Sequence, residues 1–386
     1  MIAPARIPLA LYVHLPWCVR KCPYCDFVSH VVPAAGLPER AYVDALLRDL
    51  DFAAPEVAGR EIVSVFFGGG TPSLFAAGSI ARVLDHARAL LPMTSDVEVT
   101  LEANPGTVEH ARFGEYAAVG INRVSLGAQS FDDTKLRALG RIHAADEIER
   151  AVDEVRSAGI ANFNLDLMYA LPGQDLAGAL DDLERAMALG PTHVSHYQLT
   201  LEPGTPFAKR PPPRLPDDDA SVAMQEACRA RLAARGYEQY EVSAYAQPGR
   251  RCRHNLVYWQ FGDYLGVGAG AHGKVTLADG SIVRTVRARH PAAYLGASSR
   301  AAPVTERRRI GTAELPFEFC LNALRLVEGF PEPLFTGRTG LRIGDMGAPL
   351  DEAQRRGLLR FADGRWQATE LGLRFLNDLQ GLFLPG

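Results

Sequence analysis

No stretch of the 386-residue chain approaches the roughly 18 uninterrupted apolar residues of a membrane span. A transmembrane helix is therefore not expected. The start, Met1-Ile-Ala-Pro-Ala-Arg-Ile-Pro8 running straight into Leu9-Ala-Leu-Tyr-Val13, lacks the ordered basic, apolar and small-residue sections of a signal peptide. A soluble, cytoplasmic protein is the expectation. Strong charge is missing too: a formal net charge of −4 and a pI near 6.2 give no field to gather nucleic acid or an anionic membrane surface. Lysine is scarce, 4 residues within the 41 Lys plus Arg, but the arginines are scattered along the whole chain and carry no functional message. Cysteine is scarce everywhere except one place. Of six, Cys228, Cys252 and Cys320 are dispersed, whereas Cys18, Cys22 and Cys25 crowd together, which suits a reducing compartment and a metal site better than a disulfide framework.

What is present is a rhythm. Short β-prone runs at Leu9–Leu15, Glu61–Phe67, Val97–Ala103, Asn122–Ala128, Asn162–Tyr169 and His193–Leu199 alternate with stretches of helical apolar spacing. Those stretches are Glu39–Phe52, Ile80–Leu91, Val108–Val119, Ala144–Ala158 and Leu176–Leu189. Six βα units predict an α/β fold, a partial (βα)6 barrel of TIM type over residues 1–210. Residues 211–304 read as a linking segment, with a Tyr-rich stretch, the string His254-Asn-Leu-Val-Tyr-Trp259 and a hairpin signal at Asp279-Gly280. From about Thr305 to Gly386 the pattern reads helix, helix, hairpin around Asp363-Gly364, helix, as in an α+β winged helix. Its 11 Arg against 11 Asp plus Glu speak against a DNA-binding face.

In barrels of this kind the chemistry gathers at the C-terminal ends of the strands. The unusual residues obey that rule: Cys18–Cys25 follows the first strand, Gly68-Gly-Gly-Thr71-Pro72 the second, and Glu102-Ala-Asn-Pro105 the third. Gln129-Ser-Phe131 and Asp166 end later ones. Cys18-x3-Cys22-x2-Cys25 lets three thiolates face one pocket, and a cubane so held keeps one iron open. Zinc is the rival reading, and it needs His14 or His30 as a fourth ligand. The glycines let backbone approach a ligand or simply make a tight turn.

The Cys18-x3-Cys22-x-Tyr24-Cys25 motif after a strand resembles the signature of the radical S-adenosylmethionine superfamily. The resemblance implies a [4Fe–4S] cluster on Cys18, Cys22 and Cys25 with S-adenosylmethionine on the open iron. Tyr12-Val-His14-Leu-Pro16, Gly68–Pro72, Glu102-x-x-Pro105, Gly127-x-Gln129-Ser-Phe131, Gly140-Arg141 and Asp166-Leu-x-Tyr169 are similar to the oxygen-independent coproporphyrinogen oxidase group over nearly the whole chain. By that resemblance Tyr12, Tyr24, Gly69, Gly70, Thr71, Glu102, Gln129, Arg141 and Asp166 bind S-adenosylmethionine. The bland alternative for Glu102 and Asp166 is helix capping or a neighbouring Arg.

Two departures from the oxidase stand out. Its motif carries a further Cys where this chain has Phe27, and it has an N-terminal extension, whereas here the first strand begins about eight residues in. Together with His254-Asn255-Leu-Val-Tyr258-Trp259, these features resemble the HemW-type haem chaperones, which implies haem as ligand, haem-acceptor proteins as partners and an electron donor such as flavodoxin or ferredoxin. In that reading His254 ligates haem iron, Asn255, Tyr258 and Trp259 complete the site, and Arg250, Arg251 and Arg253 meet the propionates. The competing reading makes Tyr258 and Trp259 core aromatics joining two domains.

Overall fold

The computed structural model describes residues 2–106, 113–297 and 302–385. The six strands are β1 (Leu9–Leu15), β2 (Ile62–Gly69), β3 (Met93–Ala103), β4 (Arg123–Gln129), β5 (Asn162–Tyr169) and β6 (His193–Gln198). They pair in parallel in chain order. The connecting helices are Glu39–Ala53, Ala77–Leu90, Phe113–Ala118, Ala145–Ser157 and Leu176–Ala188. Residues 108–112 of the expected helix Val108–Val119 lie outside the described residues. Helix Ala145–Ser157 buries Ile148, Ala151, Val152 and Val155 at three- and four-residue spacing, the stripe that seats it on the sheet. All seven residues of β4 are buried, as expected of a parallel strand covered on both faces.

The sheet continues beyond these six to twelve strands. On one side β7 (Glu238–Glu241) and β8 (Ala244–Ala246) run antiparallel, with β8 against β6. On the other side β9 (Asp263–Val267) lies parallel to β1 and is followed by antiparallel β10 (His272–Thr276), β11 (Ile282–Arg287) and β12 (Val304–Arg309). Five short strands of the segment read as a link, β7 to β11, thus extend the barrel sheet. The chain around Thr305 is a strand and not the expected helix. Val304-Thr-Glu-Arg-Arg-Arg309 is an edge strand whose charges keep it from pairing further, and those charges hide it from a search for apolar alternation.

The C-terminal part has helices Leu315–Ala323, Glu332–Thr339 and Gly347–Arg355 and the expected hairpin Leu359–Ala362 with Arg365–Ala368, joined by Phe330–Pro331. Phe319, Phe330, Phe335, Met346, Leu350 and Leu379 give it its own core. No helix among the described residues is long and apolar enough to cross a membrane.

The N-terminal end of the barrel is closed by a short helix, Arg253–Trp259. Its anchors are residues on the strands: Glu98 of β3 accepts from the amides of Arg253 and His254, and Ser64 of β2 meets His254. The opposite end carries the loops named from the sequence.

Candidate functional site

The cysteine loop is pinned at both ends before any ligand enters. Trp17–Cys18 pairs with His30–Val31, closing its base, and Lys21 Nζ donates to the carbonyls of Phe27 at 2.9 Å and Ser29 at 3.2 Å inside it. Gly70 N donates to Leu15 O and Thr71 N to Trp17 O. A Cβ on Gly70 would stand 2.5 Å from Trp17 O, and one on Gly69, whose φ is +111°, 2.5 Å from the His14 ring. The glycines therefore let β2 end flush against the root of the loop. The tight-turn reading holds for their backbone, and Gly69 and Gly70 also line the cavity that follows.

That cavity, about 130 Å³, is lined by all three thiols together with Tyr24, Gly69, Gly70, Thr71, Glu102, Gln129, Arg141 and Asp166. Every residue named for the cluster and S-adenosylmethionine is there except Tyr12, which lines the neighbouring cavity. The three cysteines are unpaired and half-buried. Burial raises the Cys18 and Cys25 thiols above their usual range, so a bound cation is what would hold them as thiolates. Among the described residues no three His, Cys, Asp or Glu side chains converge as they would around one metal ion. His14 is spent on Val28 O at 2.7 Å and on the Tyr12 hydroxyl at 2.9 Å, and His30 faces Arg289 O. Tetrahedral zinc is poorly served by this set, whereas a cubane takes each thiolate on a different iron.

Opposite the thiols sit two carboxyl groups in one buried pocket. Glu102 accepts from Gly69 N at 3.1 Å, and its carboxyl is pushed up to about 8, first by burial and then by the charge of Asp166. Asp166 is held by Asn164 at 2.7 Å and Ser125 at 3.3 Å, and burial raises it despite those bonds. Neither caps a helix nor pairs with an Arg among the described residues. A ligand that donates hydroxyls or an ammonium group would relieve both. Arg141 reaches Cys22 Sγ at 3.7 Å and Gly127 O at 2.7 Å, also donates to Asn104, and leaves its buried Nε without a partner. Asn104 in turn donates to Thr71, and Tyr197 donates to Gln129 at 2.8 Å. Asn104, Ser125, Asn164 and Tyr197 escaped the sequence reading. Their signal was weak: polar residues inside or just past strands, with apolar neighbours for Asn104, Ser125 and Asn164 but not for Tyr197, between His196 and Gln198.

The HNLVYW string lies elsewhere. His254 is only 3% exposed, stacks on Phe66 at 4.7 Å and touches the rings of Tyr12 at 6.1 Å and Tyr258 at 4.9 Å. Its Nδ1 meets Ser64 Oγ at 3.2 Å, its Nε2 has no partner, and burial, then Arg123, lowers it to about 3. Asn255 donates to the Tyr240 hydroxyl, and Trp259 stacks under the Arg325 guanidinium at 4.4 Å, tying the barrel floor to the C-terminal part. Of the four, Tyr258 lines the cavity that Tyr12 also lines. Arg251 pairs with Glu238 and Glu328, and Arg253 with Asp96, so these two cations are already engaged.

A sequence model of the radical SAM superfamily matches residues 12–186, and one of the HemN C-terminal domain matches residues 312–375. The chain is 49% identical to the heme chaperone HemW of Escherichia coli (strain K12) over 98% of each chain, and 48% identical to that of Haemophilus influenzae over 99% of each. Among solved structures, coproporphyrinogen III oxidase (HemN) from Escherichia coli superposes with a TM-score of 0.81 over 98% of this chain and 90% of that one, at 22% identity, which marks a shared fold. The chain belongs to the HemW family of the radical SAM superfamily, and that membership implies a [4Fe–4S] cluster and S-adenosylmethionine.

Proposed function

We propose that this chain binds haem and hands it to acceptor proteins, on a scaffold that holds a [4Fe–4S] cluster on Cys18, Cys22 and Cys25 and S-adenosylmethionine beside Glu102, Arg141 and Asp166. The observation that carries this reading is the 49% identity, end to end, with a protein named a heme chaperone. The bound pair supplies one-electron chemistry. The chain's own residues do the rest: the thiols ligate, Glu102 and Asp166 accept hydrogen bonds, Arg141 presents cationic N–H groups toward Cys22, and Tyr24 covers one side. Phe27, at 61% exposure, stands where the resembling oxidase has a further Cys, which favours a carrier over that enzyme. An electron donor such as flavodoxin or ferredoxin would approach the cysteine loop, where Arg20 and Lys21 are exposed. A cytoplasmic location, and a three-part division at about residues 210 and 304, belong to the same reading.

The deciding experiment titrates the anaerobically reconstituted protein with haem while assaying coproporphyrinogen conversion with S-adenosylmethionine and a reductant. Saturable haem binding, transfer to an apo-cytochrome and negligible protoporphyrinogen are the expected outcome. Efficient protoporphyrinogen formation without haem binding would overturn the reading in favour of the oxidase.

A further inference from the structure

A second cavity, about 220 Å³, shares Gly69 and Glu102 with the first and is lined by Tyr12 and His14 of β1, Tyr264 of β9 and Tyr258 of the floor helix. Its walls are aromatic: Tyr12, Phe27, and Tyr258 and Tyr264, whose ring centroids lie 4.3 Å apart. Two imidazoles face it. His14 has both nitrogens engaged, as described above. His272, the first residue of β10, is exposed, and its ring makes no hydrogen bond among the described residues. Gly270, on the cavity wall, donates to Ala288 O at 3.0 Å, and the next residue, Arg289, is exposed, has its charge within electrostatic reach of His272 and makes no ion pair among the described residues.

We propose that this cavity seats one face of an iron porphyrin, with the His272 imidazole as axial donor to the iron and Arg289 as partner of a propionate. The proposal rests on the haem reading above and adds the place and the ligand. A planar aromatic macrocycle matches tyrosine faces, and of the two imidazoles at the cavity only His272 has free lone-pair capacity. The volume is below the roughly 300–1,000 Å³ of pockets that enclose a drug-sized ligand. A porphyrin here keeps much of its surface open, as suits a ligand that has to be passed on. His254 then acts from the layer behind, where it packs on Tyr12 and Tyr258 and positions them.

The test is haem titration of the cluster-loaded full chain, read by the Soret band, for wild type, His272→Gly and His254→Ala. His272→Gly should bind at least tenfold more weakly with a shifted band, keep its cluster absorbance, and recover the wild-type band when free imidazole is added. His254→Ala should retain the wild-type band position with weakened affinity. An unchanged spectrum and affinity in His272→Gly overturns the proposal. So does loss of the band in His254→Ala alone, which would make the unpaired Nε2 the ligand and require the floor helix to open. Absence of haem binding by the wild type instead defeats the functional reading itself, so the two failures are told apart.

Discussion

At the floor of the barrel, Asp263 meets Arg60 at 2.8 Å and Lys274 at 2.8 Å, and the Lys274 ammonium also sits 4.1 Å from the centre of the Phe261 ring. Burial works to raise the Asp263 carboxyl, yet the two cations hold it below its usual value. At the mouth, Glu102 and Asp166 line a cavity, are partly exposed to it and share no ion pair among the described residues, and the carboxyls of both are raised. Each end buries charge. The floor supplies its own counter-ions and so belongs to the fold, while the mouth leaves thiols, carboxyls and a guanidinium nitrogen for something that arrives later.

The most complete break of that contrast comes at the mouth. Replacing Cys22 with Ser takes one of three thiolates from the cluster, and no other cysteine lines the cavity to replace it. Iron content and the brown absorbance should be lost after anaerobic reconstitution, while far-ultraviolet circular dichroism and the melting temperature of the apo form stay near wild type. Cubane iron retained by the triple Cys-to-Ser variant would show the ligand assignment to be wrong.

Breaking the floor should do the reverse. Asp263→Asn leaves Arg60 and Lys274 buried without their carboxylate, and removing one partner of such a group costs about 3–5 kcal/mol. Urea denaturation should show that loss as a lower midpoint, and the molecules that remain folded should still take up the cluster. Stability unchanged to within about 1 kcal/mol would mean that water or a rearranged side chain replaces the pair.

The two ends also differ in how legible they are from sequence. The mouth is written in residue identities at short spacing, so Cys18, Cys22, Cys25, Glu102 and Asp166 could be named, and β1 could be bounded to the residue as a nearly continuous apolar run and β5 by its alternation of polar Asn162, Asn164 and Asp166 with Phe163, Leu165 and Leu167. The floor is written in long-range pairing. Nothing local in His254-Asn-Leu-Val-Tyr-Trp259 says that a seven-residue helix will turn its imidazole into the barrel against Phe66, since that depends on Ser64 and Glu98 on strands far away in sequence. The strands β7, β8, β9 and β12 were missed for a related reason. They are short or edge elements whose pairing, not their own pattern, makes them strands. The role of Gly70 was half-read, because its neighbour Trp17 O comes from a different strand.

The subtlest difference concerns protons at the mouth. Glu102 titrates near 8, against an ordinary carboxyl value of 4.5, because of its burial and the Asp166 charge, with Arg123 and the Gly69 amide working the other way. At pH 7 the ligand-free site therefore holds a proton on Glu102. Hydroxyl or ammonium donors of S-adenosylmethionine favour the carboxylate, so binding below pH 8 releases that proton. Affinity should then fall as the pH drops from 8 to 6, by at most tenfold per unit, and level off above 8. Glu102→Gln carries only the ligand's own titration and serves as the baseline: it should bind more weakly at pH 8, and the gap between the two proteins should narrow toward pH 6. Calorimetry in buffers of different ionisation enthalpy reads the proton count directly. Equal pH dependence in both proteins would mean that Glu102 stays protonated in the complex and that Asp166 alone accepts the ligand's donors.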